Sequence, residues 1–409
     1  MMVKEVCVIK YIRNSANYGV GSYLKEYLYC LNNLGHRINI IELGGYNVDA
    51  SDCIREVDNV RTISFPLSFP GDFEKYIKGV SRALTLYIED SNNLVFHIQH
   101  VPPNNLLDCL KKYFPQSKSV ITIHDFSWIT ILQGNISLFD KIIRNQEREK
   151  FKIKYNPIIE MFKKEKAFLE KFDRVVCLSE DALHLINNLY GIKQNACLIP
   201  NGLKRDCRNL SQKRKMSLRE KYRLSPEEKV LLFVGRIESH KGIEPLIACF
   251  DEVVNVYPDC RLVMVGDGQI SEVIKQCKRL HAKVILTGRL DKKTLYQWYQ
   301  MADIALLPSY MEECSYVGIE MLMHGLPIIA SDGFGVKNMF QEGVNAKVAK
   351  IENYKSIKKF QRNLKEAILC LLNADLSTLE IRKGALKTYQ SKYSIECLQN
   401  GYTVLFNSL

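Results

Sequence analysis

Two stretches of this 409-residue chain put charged side chains where a β-branched run gives way to a helical pattern, 234-VGRIESHKG-242 and 307-LPSYMEECSYVGIEMLMHGLPIIASD-332. In the first, Arg236 and Lys241 follow a glycine and precede a helix start. Two fixed cations beside the positive end of a helix dipole form a site for a diphosphate. The same residues also read as the surface cations of a solvated turn. In the second, Ser315 is placed to cap a helix, and backbone N–H groups near Cys314, Ser315 and Tyr316 could hold phosphate oxygens. Glu312 lies in the loop and Glu320 follows inside the helix, where side chains lean back toward the N-terminus. Carboxylates accept hydrogen bonds from hydroxyls, so Glu320 reads as a clamp on a ribose diol and Glu312 as a clamp on a second sugar. The plainer reading makes one glutamate a cap or ion-pair partner and leaves the other exposed.

Two further strand exits lie in the first half. His124 ends the strand-like run ITIH, where it either bonds a hydroxyl near reacting groups or caps the strand. In 17-NYGVGSY-23, Gly19 and Gly21 read as a loop between strand and helix, offering bare backbone to a diphosphate or an acceptor. A GxG without its third glycine is weak evidence for a dinucleotide. The GDG at 266–268 reads as a turn.

These residues need a scaffold of alternating strands and helices. The first two hundred residues supply strand-like runs at VKEVCVIK, RINIIEL, 60–65, 94–98, 120–124, 174–178 and 196–199. Between the first two, Leu24, Tyr27, Leu28, Leu31 and Leu34 fall at helical spacing, with Gly35 as the stop. After a charged break at 203–229 a second series runs VLLFV, RLVMV, KVILT, IALLP and PIIA, with a helical pattern between each strand and the next. Pro245 falls in the opening turn of the helix after VLLFV, where its missing N–H does no harm. The rhythm is that of parallel α/β sheets, and open parallel sheets bind ligands beyond the carboxyl ends of their strands. We therefore expect two doubly wound, Rossmann-like domains facing across a cleft: residues 1–202, residues 203–385, and a closing amphipathic helix in 386–409.

Composition narrows the classes. The chain is 46% hydrophobic and 25% charged with a net charge of +12, which favours anionic partners. The basic residues are densest in 141–174, mixed with acidic ones. That mixture reads first as a solvated helical face, next as a membrane-surface or acceptor-docking patch, and last as a nucleic-acid surface, since no reader motif accompanies it. Thirteen cysteines, an odd number with no CxxC pair, point to reduced thiols in a cytoplasmic protein and to no metal site. There is no signal-peptide pattern, no membrane-spanning run, and no Walker A, DxD, HExxH or GxSxG sequence.

With these motifs placed, VGRIESHKG and ADIALLPSYMEECSYVGIEMLMHGLPIIASD resemble the donor-binding half of the retaining glycosyltransferases of family 4, which have the GT-B fold. The Glu-x7-Glu pattern of that family is matched by Glu312 and Glu320, and its Arg and Lys pair by Arg236 and Lys241. NYGVGSYLKEYLYCLNNLGH, ITIHD, CLSE and IPNG resemble the first half more loosely. The resemblance implies a hexosyltransferase that needs no metal or cofactor and takes a nucleotide-sugar donor such as a UDP- or GDP-sugar. It implies that Arg236 and Lys241 neutralise the leaving diphosphate, that Glu320 holds the ribose and Glu312 the transferred sugar, and that amides near Ser315 and Tyr316 hold the distal phosphate. His124 would touch the donor sugar. The acceptor would be a glycan, a lipid-linked glycan or a peptide, with peripheral contact at the inner membrane face. The family's Gly-Phe-Gly after the first glutamate is replaced here by Glu313-Cys314-Ser315. The rival readings are a nucleotide-sugar epimerase of the same form and a non-catalytic binding subunit. An NAD-dependent dehydrogenase would need a complete glycine fingerprint, which neither half has.

Overall fold

The computed structural model describes residues 3–11, 19–45, 53–67, 72–99, 105–206, 210–277, 279–374 and 376–409. It divides into two compact units, Met1–Trp128 with Asp140–Gly202 and Ile395–Leu409, and Ile129–Phe139 with Leu203–Ser394. No helix among the described residues is long and apolar enough to cross a membrane.

Eight strands form the sheet of the first unit: β1 (Glu5–Tyr11), β2 (Arg37–Gly45), β3 (Ile54–Val57), β4 (Val60–Pro66), β5 (Leu94–Ile98), β6 (Lys118–Ile123), β7 (Arg174–Cys177) and β8 (Ala196–Leu198). Their order is β3-β4-β2-β1-β5-β6-β7-β8. All neighbours are parallel except β3 and β4, a hairpin closed by Asp58 and Asn59, both at positive φ. Two such residues form the hairpin turn whose twist matches that of the strands. Every side chain of β3 is exposed, so no apolar alternation marks it in the sequence. The inner strands carry the buried runs of a sheet covered on both faces.

The helix Gly19–Asn33 follows β1. It buries Tyr23, Tyr27, Cys30 and Leu31, a face rotated from the leucine stripe expected, because Leu24 and Leu28 are only half-buried. Gly19 and Gly21 are not loop residues. They lie in this helix's opening turn, and an added Cβ at Gly19 meets open space. Residues 12–18, and with them the first part of the proposed glycine loop, lie outside the described residues.

The second unit carries six strands, β9 (Lys229–Val234), β10 (Cys260–Val265), β11 (Val284–Gly288), β12 (Ile304–Leu307), β13 (Ile328–Ser331) and β14 (Lys347–Ala349). They are all parallel, in the order β11-β10-β9-β12-β13-β14. The order reverses between β9 and β12, so the connections leaving these two strands diverge to opposite faces at a topological switch point. The helix Ile243–Val256 after β9 buries Ile243, Leu246, Ile247, Phe250 and Val253 against the sheet, with Pro245 in its first turn. Ile243, Leu246, Ile247, Phe250, Val253 and Val254 fall at helical spacing in the sequence, and of these Val254 alone is only half-buried.

The segment 386–409 is not one element. Its first residues end the helix Leu376–Thr388, a π-helical turn covers Tyr389–Tyr393, and Leu203 N–H bonds the Tyr393 carbonyl at 3.0 Å inside the second unit. A separate helix, Ile395–Asn407, belongs to the first unit and buries Leu398, Tyr402, Leu405 and Phe406 there. It lies so close to β8 that a Cβ at Gly401 would stand 2.7 Å from Ile199 Cγ2. A β-branched neighbour cannot swing aside cheaply. Gly401→Val is therefore expected to destabilise the first unit by about 1–3 kcal/mol through overpacking, read as a lowered denaturation midpoint of that unit with native far-ultraviolet dichroism retained.

Candidate active site

The site in the second unit is built from the loops at the carboxyl ends of β9, β10, β12 and β13. Register aligns Phe233 of β9 with Leu306 of β12, so both exits open at one edge of the sheet. After β9 the chain passes through Gly235 and Arg236 into a short 3-10 turn, Ser239–Lys241, and enters the helix Ile243–Val256 through Gly242 at φ +71°. Only glycine fits there, because a Cβ would stand 2.1 Å from the Pro308 carbonyl oxygen. Tyr310 N–H bonds the His240 carbonyl at 2.8 Å and ties the two exit loops together.

This stitch brings Lys241 to Glu312. Lys241 Nζ lies 2.7 Å from Glu312 Oε1, with the two side chains only 16% and 13% exposed. Ser309 Oγ donates to the same oxygen at 2.8 Å. Among the described residues, Oε2 of Glu312 takes no hydrogen bond. The lysine and glutamate read from the sequence as holding different parts of a ligand are thus each other's partner. Arg236 is half exposed and pairs with Glu238 at 2.9 Å. His240 also faces Glu238, at 3.3 Å, and burial together with neighbouring Lys241 lowers its pKa to about 4, so its ring is neutral.

Ser315 caps the helix Tyr316–Met323, its hydroxyl accepting from Gly318 N–H, and Gly325 at φ +61° follows its end. The backbone N–H of Ser315 is not simply open to a phosphate as expected: it points at Met339 Sδ, 3.3 Å away. A thioether is a weak acceptor, so the contact yields readily to an oxyanion. Cys314 is buried and Tyr316 half-buried. Glu320, one turn further along the helix, accepts from Tyr299 Oη at 2.9 Å. Burial raises its pKa to about 7, partly offset by the tyrosine and by Lys292.

The loops behind these residues went unread in the sequence. Gly266 and Gly268 of the GDG are more than a turn. A Cβ at either would stand 1.9 Å from Gly235 O or 2.4 Å from Ile237 O, and Ile237 N–H bonds Asp267 O at 2.7 Å. In 332-DGFGV-336, a Cβ at Gly335 would stand 1.7 Å from Glu312 O, and Glu312 N–H bonds Phe334 O at 2.9 Å. The signal was present, since both glycine pairs follow a strand of the same sheet. Gly134, from the Ile129–Phe139 segment, backs the same loop, with Tyr310 O 2.8 Å from where its Cβ would be.

In the first unit His124 does stand at the end of β6. Its Nε2 bonds Gln99 Oε1 at 3.1 Å and its ring meets the Tyr23 ring edge-on at 4.7 Å. The loop after it is pinned from below by Glu165, which accepts from Ser127 N–H at 3.0 Å and from Tyr190 Oη. Trp128 Nε1 donates to that tyrosine oxygen at 3.2 Å. Burial raises the Glu165 pKa to about 7. Gln99, Glu165 and Tyr190 were missed, because a buried polar residue on a different element leaves no spacing to read.

Two doubly wound sheets with a cation and carboxylate constellation at the switch point of the second define a GT-B glycosyltransferase architecture. The model for Glycosyltransferase Family 4 matches residues 18–206, and that for Glycosyl transferases group 1 matches residues 215–370. The chain belongs to the group 1, family 4 glycosyltransferases. It is 31% identical over 140 residues to an uncharacterized glycosyltransferase of Methanocaldococcus jannaschii, an alignment covering 34% of this chain and 36% of that one. The match thus spans about a third of that relative's length. The sucrose-phosphate synthase of Thermosynechococcus elongatus superposes with a TM-score of 0.77 at 19% identity, covering 99% of this chain and 98% of the other. HepE of Anabaena, solved with UDP and glucose, gives 0.74 at 14%, covering 99% and 100%.

The Lys241–Glu312 pair makes a stability prediction. Removing one member leaves the other buried and uncompensated, at a cost of about 3 kcal/mol, whereas removing both costs much less. Lys241→Met and Glu312→Gln should each lower the urea midpoint of the second unit more than the double variant does. Additive losses in this double-mutant cycle would show that the pair is not coupled.

Proposed function

We propose that the chain is a metal-independent, retaining glycosyltransferase. It moves a hexose-type sugar from a nucleoside-diphosphate sugar to a hydroxyl of a glycan, lipid-linked or peptide acceptor. The observation that carries the reading is the fork at Lys241 and Glu312. One carboxylate oxygen is fixed by the lysine and Ser309 while the other keeps its lone pairs, and the ammonium has two further N–H donors. A hydroxyl acceptor and an anion donor are therefore held side by side. HepE, which shares the fold, holds UDP and glucose, a donor chemistry that fits this pairing.

In this reading the bond from the anomeric carbon to the diphosphate oxygen breaks as Arg236, Lys241 and the amides at the start of Tyr316–Met323 take up the developing charge. The acceptor oxygen attacks from the same face, its proton passes to the departing phosphate oxygen, and the anomeric configuration is retained. Glu312 holds the transferred sugar, Glu320 the ribose, and His124 the donor sugar. Gly19 and Gly21 leave the first turn of their helix uncovered toward substrate. The enzyme works in the cytoplasm, with peripheral contact at an acidic membrane face.

Incubation with UDP- or GDP-sugars, read as released nucleotide, tests the activity. Arg236→Ala and Lys241→Ala are each expected to lower kcat about 10²–10³-fold. Nucleotide release equal to that of the unaltered chain in both variants, or conversion of the donor to an epimer with no transfer, overturns the proposal.

Glu320 adds a pH dependence. Its native pKa of about 7 lies above the ordinary value of 4.5, so the native state holds a proton that the unfolded chain releases. Folding of the second unit therefore becomes less favourable as pH rises between about 4.5 and about 7, and levels off above that. Nucleotide affinity should run the other way, rising through about pH 7 as the carboxylate becomes a pure acceptor for the ribose hydroxyls. Calorimetric titration with UDP across this range checks it, and Glu320→Gln should flatten both profiles.

A further inference from the structure

The helix Glu149–Leu169 buries Ile158, Ile159, Phe162, Glu165, Phe168 and Leu169 and turns its other side outward. Lys150, Ile153, Lys154, Pro157, Met161 and Lys164 fall on one side of the helix, Ile153 and Lys154 adjacent and the others three or four residues apart, and all six are exposed. Ile153 is 77% exposed and Met161 36%. One carboxylate, the exposed Glu160, borders the stripe and turns to Lys163 at 3.9 Å.

The lysines of this helix fall into two sets. Those off the stripe are neutralised locally: Lys152 pairs with Glu147, Lys163 with Glu160 and Lys166 with Glu170. Among the described residues, the three on the stripe, Lys150, Lys154 and Lys164, form no ion pair. Three uncompensated charges thus alternate with two unburied apolar side chains along about 20 Å of helix, taken at 1.5 Å per residue. The helix bends at Tyr155, two residues before Pro157, and the exposed stripe runs through the bend.

We infer that this stripe is the surface on which the protein meets an anionic lipid bilayer. Lysine ammonium groups reach phosphate headgroups while their stems lie along the interface. Ile153 and Met161 enter the acyl boundary between them, as in helices that lie in an interface plane. An acidic polypeptide would satisfy the lysines but gives the solvated isoleucine nothing to enter. The inference rests on the peripheral contact proposed above and gives it a location. It also places the docking helix on the element whose inner face carries Glu165, the residue pinning the His124 loop.

Co-sedimentation of the full chain with vesicles tests it, without substrate, so that the outcome is independent of sugar transfer. Binding is expected to phosphatidylcholine vesicles containing phosphatidylglycerol, weakening with salt, and not to phosphatidylcholine alone. K150E/K154E/K164E should lower the partition coefficient on the order of a hundredfold, about five-fold per lysine, and I153S/M161S should lower it as well. All five positions are exposed, and an unchanged far-ultraviolet dichroism spectrum and denaturation midpoint confirm that the variants are folded. Failure of the unaltered chain to bind removes membrane contact altogether. Binding that both variants retain in full keeps the contact but overturns the stripe as its surface, and capture by polyglutamate with no vesicle binding overturns the lipid as occupant.

Discussion

The second unit depends on close backbone contact between the loops that leave its strands. In sheet order, the β10 loop backs the β9 loop, the β9 loop backs the β12 loop, and the β13 loop backs the β12 loop from the other side. At each junction a glycine admits a carbonyl oxygen where a Cβ would stand: Gly266 and Gly268 against Gly235 and Ile237, Gly242 against Pro308, Gly335 against Glu312. Side chains between the loops would hold them further apart and let them move singly. With carbonyls seated on bare α-carbons, Lys241 and Glu312, from loops far apart in the chain, are positioned to within a hydrogen bond.

The first unit orders its strand exits differently, with neutral polar side chains sunk among aromatic rings. Tyr27 Oη meets His97 Nδ1 at 2.5 Å, His97 Nε2 meets Thr122 Oγ1 at 2.8 Å, and Thr122 meets Tyr23, whose hydroxyl also bonds Tyr402 of the closing helix. Burial lowers the His97 pKa to about 3 and raises that of each tyrosine. Every member therefore stays uncharged, and the network pays no charge-desolvation cost while fixing rotamers. Thr122 on β6 lies two residues before His124, and Tyr23 touches both. The helix after β1, strand β6 and the closing helix are locked together beneath the histidine.

How much of this was legible follows from where the constraint lies. Strands buried on both faces announce themselves as unbroken apolar runs, and β5, β9, β10 and β12 fell within a residue of their expected ends. The helix Ile243–Val256 was readable because its burial follows the spacing of its apolar side chains. The helix Gly19–Asn33 was misread because Tyr23 and Tyr27 are buried for their hydroxyls as much as for their rings, whereas the leucines flanking them are not the core. Strand β3 is exposed on every residue and β14 has three, so neither carries a period. At the site, the charged residues could be nominated from their places at strand exits. Their pairing could not, since it is set by carbonyl-to-glycine contacts between loops distant in sequence, and a glycine shows only that some backbone comes close.

The two ion pairs at the site differ in how freely they can change partners. Arg236 with Glu238 is a half-exposed contact, of a kind worth about 0–1 kcal/mol, and a diphosphate offering bidentate oxygens to the guanidinium outbids it easily. Lys241 with Glu312 is mostly shielded from water and shares its acceptor oxygen with Ser309. Breaking it would strand a carboxylate in a poorly solvated place. In the reaction proposed above, substrate phosphate would gain Lys241 as an added ligand, through N–H groups the glutamate does not use, and Arg236 by exchange. The charges of the four side chains sum to zero, and His240 beside them is held neutral. For the proposed transfer, attraction for the leaving group would come from oriented donors rather than from a standing positive charge, and such donors stabilise charge most where it develops. On that proposal the buried lysine is the fixed point of the site, and the half-exposed arginine is the group free to follow the phosphate.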